Sequence, residues 1–281
     1  MIHPPVVGSP PYLTKQPSAA FGLESRVLSR LRGLKSWLLG TGGWIPTEAR
    51  ETACVLVRAG ENALVLDAGT GLRRLVAEPG LLDGIGKLDI ILTHFHLDHT
   101  CGLAYVPALK VKPTLWAPGA WLYGVPSAEL LGALLTAPIS PFEQDALGDI
   151  LELAPGRQTV GAFPLTTRAQ PRHWAPTAGL RVGDALALVT DTAYDPGSSE
   201  LARDIGHLLH EAWSTSANPV AAEGDATAAE AGRVARDAAA HRLTLVHVNP
   251  RLDDEDALVA DARREFPTAQ LGRDRTELRL G

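Results

Sequence analysis

The segment 92–102, LTHFHLDHTCG, constrains this chain most, because it places three of the nine histidines and an aspartate within six positions. It continues the apolar run LDIIL, so these side chains leave the end of a predicted strand. Residues two apart there face the same space, while Phe95 turns into the core. Imidazole and carboxylate together are typical ligands of Zn²⁺, Fe or Mn, whereas Ca²⁺ takes oxygen ligands. The segment therefore predicts a transition-metal site supplied by His94, His96, Asp98 and His99.

Three further potential ligands follow other predicted strands. His173 lies after FPLTTRAQPR, Asp191 ends ALALVTD, and His247 lies at the end of RLTLVHV. Taken singly, each could be an ordinary polar loop residue. Strand ends that meet at one edge of a sandwich, however, hold ligands on rigid elements while loops give access. We therefore expect these three residues to converge on the first four.

Short apolar strands and helical patterns alternate from residue 34 to the C terminus. Strand patterns such as NALVLDAG and TVGAFPLTTR come in two batches, and each batch is followed by helical patterns such as SAELLGALLT and TAAEAGRVARDAAA. This order favours an α/β fold with two sheets packed face to face and helices outside. We expect one domain at 34–281, preceded by an N-terminal extension at 1–33 that contains a proline-rich segment and a short amphipathic helix from Leu23 to Leu34.

The charge balance is acidic, with 32 Asp and Glu against 26 Lys and Arg and a net charge of -6. Binding to nucleic acid depends on basic residues that neutralise phosphates, so this balance argues against a nucleic-acid partner. The two cysteines, Cys54 and Cys101, do not require a disulfide framework. Nothing in the sequence resembles a signal peptide or a membrane-spanning run, which predicts a cytoplasmic protein without a membrane partner.

Several motifs occur together in one order. THFHLDH resembles the HxHxDH signature of the metallo-β-lactamase superfamily, and LGTGGWIPT, LVLDAGTGL, VTDT, LLHEAW and LVHVNPR resemble motifs of its ribonuclease Z-like branch. The resemblance extends from about Leu34 to the C terminus. It implies a four-layer αββα sandwich in a single domain and a metal-dependent hydrolase. The motifs are specific for the fold and for metal binding, and much less specific for the substrate.

The resemblance also implies how the ligands are shared between two metals, most simply two Zn²⁺, with Mn or Fe as alternatives. His94, His96 and His173 would bind one metal, Asp98, His99 and His247 the other, and Asp191 would bridge them. A hydroxide held between the metals would attack the substrate. Asp67 in LVLDAG would support the metal loop by hydrogen bonds, or it is a turn-forming aspartate before Gly69.

The proton donor of the branch is altered in this chain. In relatives of the ribonuclease Z type, the glutamate of an HEA motif pairs with a later histidine, but here Glu211 faces an aspartate, Asp225, in GDATAAEA. Two carboxyl groups could share a proton at a raised pKa, or His210 could take over. Alternatively Asp225 or Thr227 caps a helix, with Thr227 and Glu230 forming a capping box. The predicted catalytic residues are Asp98, His210, Glu211 and Asp225.

Three of the six tryptophans lie near predicted metal-facing loops: Trp44 in the glycine loop, Trp174 directly after His173, and Trp213 directly after the HEA motif. They could line an apolar pocket around the metals, or they are core or interface residues. Arg251 in HVNPR could contact an anionic substrate or form a surface salt bridge. The tryptophans favour a small, partly apolar or aromatic substrate, and the acidic charge balance argues against tRNA. The helix from Leu23 to Leu34 could serve a homodimer. The predicted substrate-binding residues are Trp44, Trp174, Trp213 and Arg251.

The reaction itself stays open between three classes. The resemblance favours a phosphodiesterase-like enzyme. A carbon-centred hydrolase, such as a lactonase, thioesterase or β-lactamase-like enzyme, has the same metal requirement. A non-hydrolytic metal-binding protein or an iron redox protein is the alternative from another class.

Overall fold

Two seven-stranded sheets form the framework of the computed structural model, which describes residues 33–219 and 224–280. The predicted proline-rich segment and all but the last two residues of the helix predicted from Leu23 to Leu34 precede residue 33, so the dimer contact expected from that helix lies outside the described residues. Residues 33 and 34 are not helical. Residues 33–281 form one compact unit, in agreement with the prediction of a single α/β domain. None of the described helices is long and apolar enough to cross a membrane.

The first sheet contains the strands of the N-terminal half and the last strand of the chain. These are β1 (Lys35–Gly40), β2 (Cys54–Ala59), β3 (Asn62–Leu66), β4 (Lys87–Ile91), β5 (Thr114–Ala117), β6 (Asp149–Glu152) and β14 (Thr276–Arg279). Their order is β14-β1-β2-β3-β4-β5-β6. The pairs from β14 to β3 are antiparallel, and the pairs from β3 to β6 are parallel.

The second sheet contains the strands of the C-terminal half. These are β7 (Gly156–Val160), β8 (Phe163–Gln170), β9 (Thr177–Val182), β10 (Leu186–Val189), β11 (His207–Glu211), β12 (Leu243–Val246) and β13 (Gln270–Leu271). Their order is β13-β12-β11-β10-β9-β8-β7. The pairs from β7 to β10 are antiparallel, and the pairs from β10 to β13 are parallel.

The described helices connect the strands and cover the sheets. They are α1 (Arg73–Ala77), α2 (Leu97–Thr100), α3 (Ser127–Leu134), α4 (Pro196–Leu201), α5 (Ala228–Asp237) and α6 (Glu255–Arg263). Short 3₁₀ helices occur at Thr70–Leu72, Pro79–Leu82, Cys101–Ala108 and Gln144–Leu147, and a π-helical turn at Gly119–Tyr123.

Alternation along each strand separates a face covered by helices from a face that meets the other sheet. In β3, Ala63 and Val65 pack in the same core cluster as residues of α1 and α3. In β10, Ala187 and Val189 pack in the same core cluster as residues of α5 and α6. The alternate positions Leu66 and Leu188 line one small cavity between the sheets. The layers are therefore helix, sheet, sheet and helix, as predicted.

The parallel strands of both sheets bring their carboxyl ends to one edge of the sandwich, where ligand sites of such sheets form. In the first sheet, Asp67 follows β3 and the HFHLDH segment follows β4. In the second sheet, Asp191 follows β10, Glu211 ends β11 and His247 follows β12. The predicted convergence of strand ends is thus a property of the topology.

Candidate metal centre

All seven predicted ligands lie together at this edge of the sandwich. Within each set, one ligand atom from every residue lies within 4.8 Å of the others. The first set is His94, His96, His173 and Asp191, and the second is Asp98, His99 and His247. A third set overlaps both and consists of Asp191, Glu211 and His247.

The Asp191 carboxylate lies between the first two sets and presents a different oxygen to each. Its Oδ1 is 3.7 Å from Nε2 of His94 and 3.7 Å from Nε2 of His173. Its Oδ2 is 3.2 Å from Nε2 of His99 and 3.5 Å from Nε2 of His247. A carboxylate in this position can serve two cations at once, which matches the bridging role implied by the sequence resemblance.

The spacing of the second set fits a tetrahedral ion. Ligands about 2.0 Å from a tetrahedral zinc ion are about 3.3 Å from one another. Nε2 of His247 lies 3.3 Å from Nε2 of His99 and 3.3 Å from Oδ2 of Asp98. The remaining side of this triangle, from Nε2 of His99 to Oδ2 of Asp98, measures 3.5 Å. The donor set and its dimensions therefore fit a zinc-like cation.

Hydrogen bonds leave the Nε2 lone pair of His94 directed at the cluster. The Thr93 hydroxyl lies 3.0 Å from Asp67 Oδ1, to which it can only donate. It therefore accepts from Nδ1 of His94, which lies 3.0 Å away, and this assigns the imidazole proton to Nδ1. Nε2 of His94 is buried without a hydrogen-bond partner among the described residues. An unprotonated, buried imidazole nitrogen is the form that binds a metal.

The same logic applies to His99 and His173. Nδ1 of His99 lies 2.9 Å from Oδ2 of Asp67, and Nδ1 of His173 lies 3.0 Å from the carbonyl oxygen of Gly224. Both partners can only accept, so each imidazole donates from Nδ1, which leaves Nε2 as the atom that faces the cluster and can bind a metal. Asp67 therefore orients His99, which resolves the two roles that the sequence left open for it in favour of support for the ligands.

The backbone is strained at four residues that lie in or beside the cluster. Trp44, Asp67, Asp191 and His247 have φ values of 62°, 61°, 54° and 51°. Residues other than glycine rarely adopt this left-handed conformation, and each instance costs on the order of 1–3 kcal/mol. Such strain concentrates at functional sites, because the surrounding structure must hold the residue in place.

The glycine loop after β1 passes directly over the cluster. A Cβ atom at Gly43 would lie 2.5 Å from Cε1 of His247, so only glycine fits there. The next residue, Trp44, donates its backbone N–H to Oδ2 of Asp98 at 2.7 Å. The GTGG sequence therefore brings the backbone close to the cluster.

The charges in the cluster depend on one another. Burial alone raises the pKa of Asp191, but the imidazoles of His247 and His99 outweigh it and hold this pKa well below its usual value. Burial lowers the pKa of His247, yet Asp191 and Asp98 reverse the effect and raise it well above the usual value. For His94, burial beside His99 prevails and the pKa lies well below the usual value. The Asp191 carboxylate is therefore ionised, and the buried His94 imidazole is neutral. A negative charge next to a neutral imidazole favours a cation at the cluster.

Glu211 lies within the cluster, whereas His210 does not. Oε1 of Glu211 accepts from the backbone N–H groups of Thr192 and Ala226, and Oε2 lies 3.5 Å from Nδ1 of His247. Burial raises the pKa of Glu211 to about 7. His210 shares the outer face of its sheet with its paired neighbours in β10 and β12, and its Nδ1 lies 2.8 Å from the Glu211 carbonyl oxygen. Because it faces away from the ligands, the geometry does not support His210 as the proton donor.

Asp225 lies beside the first ligand set. Its Oδ1 is 3.7 Å from Nδ1 of His173, and burial, together with the charge of Asp191, raises its pKa despite His247. The helix cap is a different residue: the Thr227 side chain accepts from the backbone N–H of Glu230, and Glu230 completes the capping box. The predicted capping box is confirmed, and it leaves the carboxyl group of Asp225 outside the cap.

The predicted substrate-binding residues lie around the cluster at different depths. The Trp213 ring centroid is 5.6 Å from that of His247 and partly buried. Trp44 and Trp174 remain 49% and 76% exposed. The Arg251 guanidinium stacks over the Trp44 ring at 4.5 Å from its centroid, so it pairs with an aromatic ring and not with a carboxylate among the described residues. These side chains form a rim of aromatic and cationic groups.

Several supporting residues have no signal of their own in the sequence. The Gly224 carbonyl oxygen orients His173 from 51 positions away. The hydroxyl of Thr190 donates to Oδ2 of Asp191 at 2.6 Å. Thr93, which bridges Asp67 and His94, lies inside the quoted motif but between more conspicuous residues. Only the motif around Thr93 could have pointed to such a role.

Comparison with known proteins gives consistent matches. A family model described as "Beta-lactamase superfamily domain" matches residues 62–248. The chain is 26% identical to ribonuclease BN of Cronobacter sakazakii, over 84% of the chain and 96% of that protein. It is 27% identical to ribonuclease Z of Salinibacter ruber, over 83% and 90% respectively.

Two solved structures share the fold. The metallo-β-lactamase fold protein YhfI from Bacillus subtilis superposes with a TM-score of 0.72 at 19% identity, covering 88% of this chain and 99% of that one. The short form of human tRNase Z superposes with a TM-score of 0.64 at 20% identity, covering 88% and 99%. At these identities the structures support the fold alone.

These relatives contradict the predicted partner. The expectations of a small-molecule substrate and against tRNA are wrong, because the related sequences are ribonucleases BN and Z and a fold neighbour is a tRNase. The error has a physical cause. Net charge is a sum over the whole chain, whereas contact with a phosphate depends on local groups, and the exposed side of this cluster carries the Arg251 guanidinium.

Proposed function

Because the chain belongs to the ribonuclease Z-like branch of the metallo-β-lactamase superfamily and is a metal-dependent hydrolase, we propose that it is a binuclear phosphodiesterase that cleaves RNA. One observation carries the binuclear part of the proposal. Asp191 presents one oxygen to the set of His94 and His173 and the other to the set of His99 and His247. The names of the related ribonucleases support RNA as the substrate.

We assign two Zn²⁺ ions to the two ligand sets. The donors are imidazole nitrogens and carboxylate oxygens, which also suit Mn²⁺ and Fe. When bound, such ions activate a water molecule near neutral pH and neutralise charge on the scissile phosphate. The protein keeps the imidazoles in the tautomers that offer Nε2, through Thr93, Asp67 and the Gly224 carbonyl group.

The carboxyl groups divide the remaining tasks. We assign to Glu211 the orientation of His247, since its Oε2 faces Nδ1 of that imidazole at 3.5 Å. Asp98 contributes its Oδ2 to the second set and fixes the glycine loop through the Trp44 N–H. Asp225 is our candidate for the proton delivered to the leaving oxygen, because burial raises its pKa and its position corresponds to that of the branch's histidine.

Metal analysis combined with two substrates tests the proposal. The full chain, purified and dialysed against Zn²⁺ or Mn²⁺, should retain about two equivalents per chain by inductively coupled plasma mass spectrometry. The loaded protein should hydrolyse bis-p-nitrophenyl phosphate and cleave a precursor tRNA at a defined bond, and chelation should abolish both activities. A protein that holds two ions and cleaves neither substrate would refute the phosphodiesterase assignment.

Activity on other substrates distinguishes the alternatives. Hydrolysis of a lactone or thioester panel without any phosphodiester cleavage would favour the carbon-centred hydrolase. Iron retention accompanied by oxygen consumption would favour a redox protein.

A further inference from the structure

The rim of the metal centre carries an unusual concentration of exposed apolar side chains. Of the eight large apolar side chains that are exposed in the described residues, four lie in segments that carry or contact the ligands. They are Trp44, Ile45, Leu97 and Trp174. Exposed apolar groups at such a density mark a binding surface, and single scattered ones do not.

Trp44 stands out in this rim because its position is built at a cost. Its φ of 62° lies in the region that favours glycine, and a bulky side chain there is a rare outlier. Its backbone N–H donates to Asp98 at 2.7 Å, so the residue is anchored to the cluster through its backbone. About half of the side chain is nevertheless exposed, so burial of the ring does not explain why a tryptophan occupies this position.

Arg251 completes the feature from the other sheet. It follows the ligand His247 by four positions, and its backbone N–H donates to Oδ1 of Asn249 at 2.9 Å. Its guanidinium lies 4.5 Å from the centroid of the Trp44 ring, which is the geometry of a cation–π contact. Among the described residues no carboxylate neutralises it, so a positive charge lies over one face of an indole that is still 49% exposed.

We propose that the Trp44–Arg251 stack is a platform for one unpaired nucleobase of a nucleotide adjoining the scissile phosphate. The proposal rests on the proposed RNA cleavage and adds the requirement for an unpaired base at that position. A base offers a planar π face to the indole, and its phosphate offers negative charge to the guanidinium. Stacking tolerates any base, so the platform selects single-stranded RNA at this point without reading its sequence.

Two variants separate the ring from the backbone contact. Trp44→Gly removes the indole, keeps the N–H that binds Asp98, and suits the positive φ, so the fold should be retained. Trp44→Phe keeps an aromatic ring as the conservative replacement. Phe142→Ala removes another exposed aromatic ring that contributes no predicted ligand or substrate contact, and it serves as the matched control.

The test pairs these variants with abasic RNA. Short RNAs carrying an abasic ribose on either side of the cleaved bond are compared with the intact RNA, using metal-loaded full-length protein. At one of these two positions, loss of the base should raise the KM of the wild-type protein about tenfold with kcat little changed. Trp44→Gly should raise the KM for intact RNA about tenfold and become insensitive to the abasic change. Trp44→Phe should recover most of the loss, and Phe142→Ala should behave as wild type.

Other outcomes separate failure of the platform from failure of the proposed function. If Trp44→Gly weakens intact and abasic RNA equally at both positions, the platform is refuted while RNA cleavage stands. If the wild-type protein does not cleave intact RNA, the proposed function fails. Fluorescence anisotropy with the same labelled oligonucleotides then still decides the platform, because the coupling between ring and base must appear in Kd.

Discussion

Two buried clusters of charged side chains lie within this domain, and they differ in whether the chain supplies its own counter-charges. The first, here called the C-terminal anchor, is centred on Asp274 with Thr41, Arg50, Glu51 and Arg74. Asp274 accepts from the backbone N–H groups of Thr41 and Glu51, from the Thr41 hydroxyl and from Arg74. Arg50 donates to the Thr41 hydroxyl and the Gly272 carbonyl group, and pairs with Glu255.

In the metal centre, the buried polar groups are not all paired with one another. Nε2 of His94 is buried without a hydrogen-bond partner among the described residues, while Nδ1 of His247 and Oε2 of Glu211 face each other at 3.5 Å. Nε2 of His99 faces Nε2 of His247 at 3.3 Å, and two lone pairs at that distance need a shared proton or cation. Buried polar groups without partners cost free energy, so a protein keeps them where a ligand completes the site. The anchor is therefore built for stability and the metal centre for binding.

Loss of the bridging carboxylate should give the largest effect. Asp191→Asn removes the negative charge that faces both ligand sets, so we expect loss of metal from the protein and a fall in kcat on the order of a thousandfold or more. Metal content and phosphodiesterase rate on the same preparation measure this. Asp204→Asn is the matched control, since Asp204 is also an aspartate at positive φ but is exposed and outside the ligand sets. Full activity with an intact metal content in Asp191→Asn would show that the two clusters do not differ in this way.

Breaking the C-terminal anchor should instead lower stability, with or without metal. Asp274→Ala removes the carboxylate to which the buried Arg74 guanidinium donates at 2.8 Å, and removing one partner of such a pair costs about 3–5 kcal/mol of unfolding free energy. Asp184→Ala breaks an exposed pair with Arg181 and should cost about 0–1 kcal/mol. Denaturant unfolding of metal-free and metal-loaded protein measures both. If the loss from Asp274→Ala disappears when metal is added, the anchor is part of the metal site.

The contrast also explains what the sequence could predict. His94, His96, Asp98 and His99 were predictable because one short segment after an apolar strand encodes them. The convergence of His173, Asp191 and His247 was predictable because β8, β10 and β12 run in one direction and bring their carboxyl ends to one edge. The anchor was not predictable, because Asp274 and Thr41 are 233 positions apart in the sequence. No local sequence pattern indicates that they form a hydrogen bond. Local chemistry is readable from sequence, and long-range charge pairing is not.

The fold was predictable with the same limits. The apolar sequences of β3, β4 and β12 correctly predicted strands. The strand β11, HLLHE, was not predicted, because two histidines and a glutamate interrupt its apolar pattern. The segment is nevertheless buried between β10 and β12. TVGAFPLTTR is a hairpin of β7 and β8 and not one strand, because Gly161 turns the chain with a φ of 58°. Burial by tertiary neighbours and a single turn residue decide such cases.

A smaller effect is expected for the residues that orient the ligands. In Asp67→Asn the backbone conformation is retained, because Asn tolerates positive φ. However, an amide NH₂ directed at the Nδ1–H of His99 would place two donors against each other, and we expect metal affinity to fall about 10- to 100-fold. Competition with a chromophoric chelator measures this. Asp89→Asn changes another buried aspartate, which accepts from the Trp116 indole, and should leave metal affinity unchanged.

Per pH unit, the smallest effect should be the pH dependence of stability in the metal-free protein. Burial raises the pKa of Glu211 from 4.5 to about 7, so the folded state binds a proton that the unfolded state releases. The contribution of this group is fully present below pH 4.5 and is lost as the pH rises toward 7, by about 1 kcal/mol per pH unit inside that window. The difference in unfolding free energy between wild type and Glu211→Gln, measured from pH 4.5 to 7.5 in chelator, isolates the effect. Bound metal should weaken the dependence, because a cation near His247 and Asp191 stabilises the ionised carboxylate. If this difference in unfolding free energy does not change with pH, Glu211 resembles the carboxylates of the anchor, which are paired with groups of the chain.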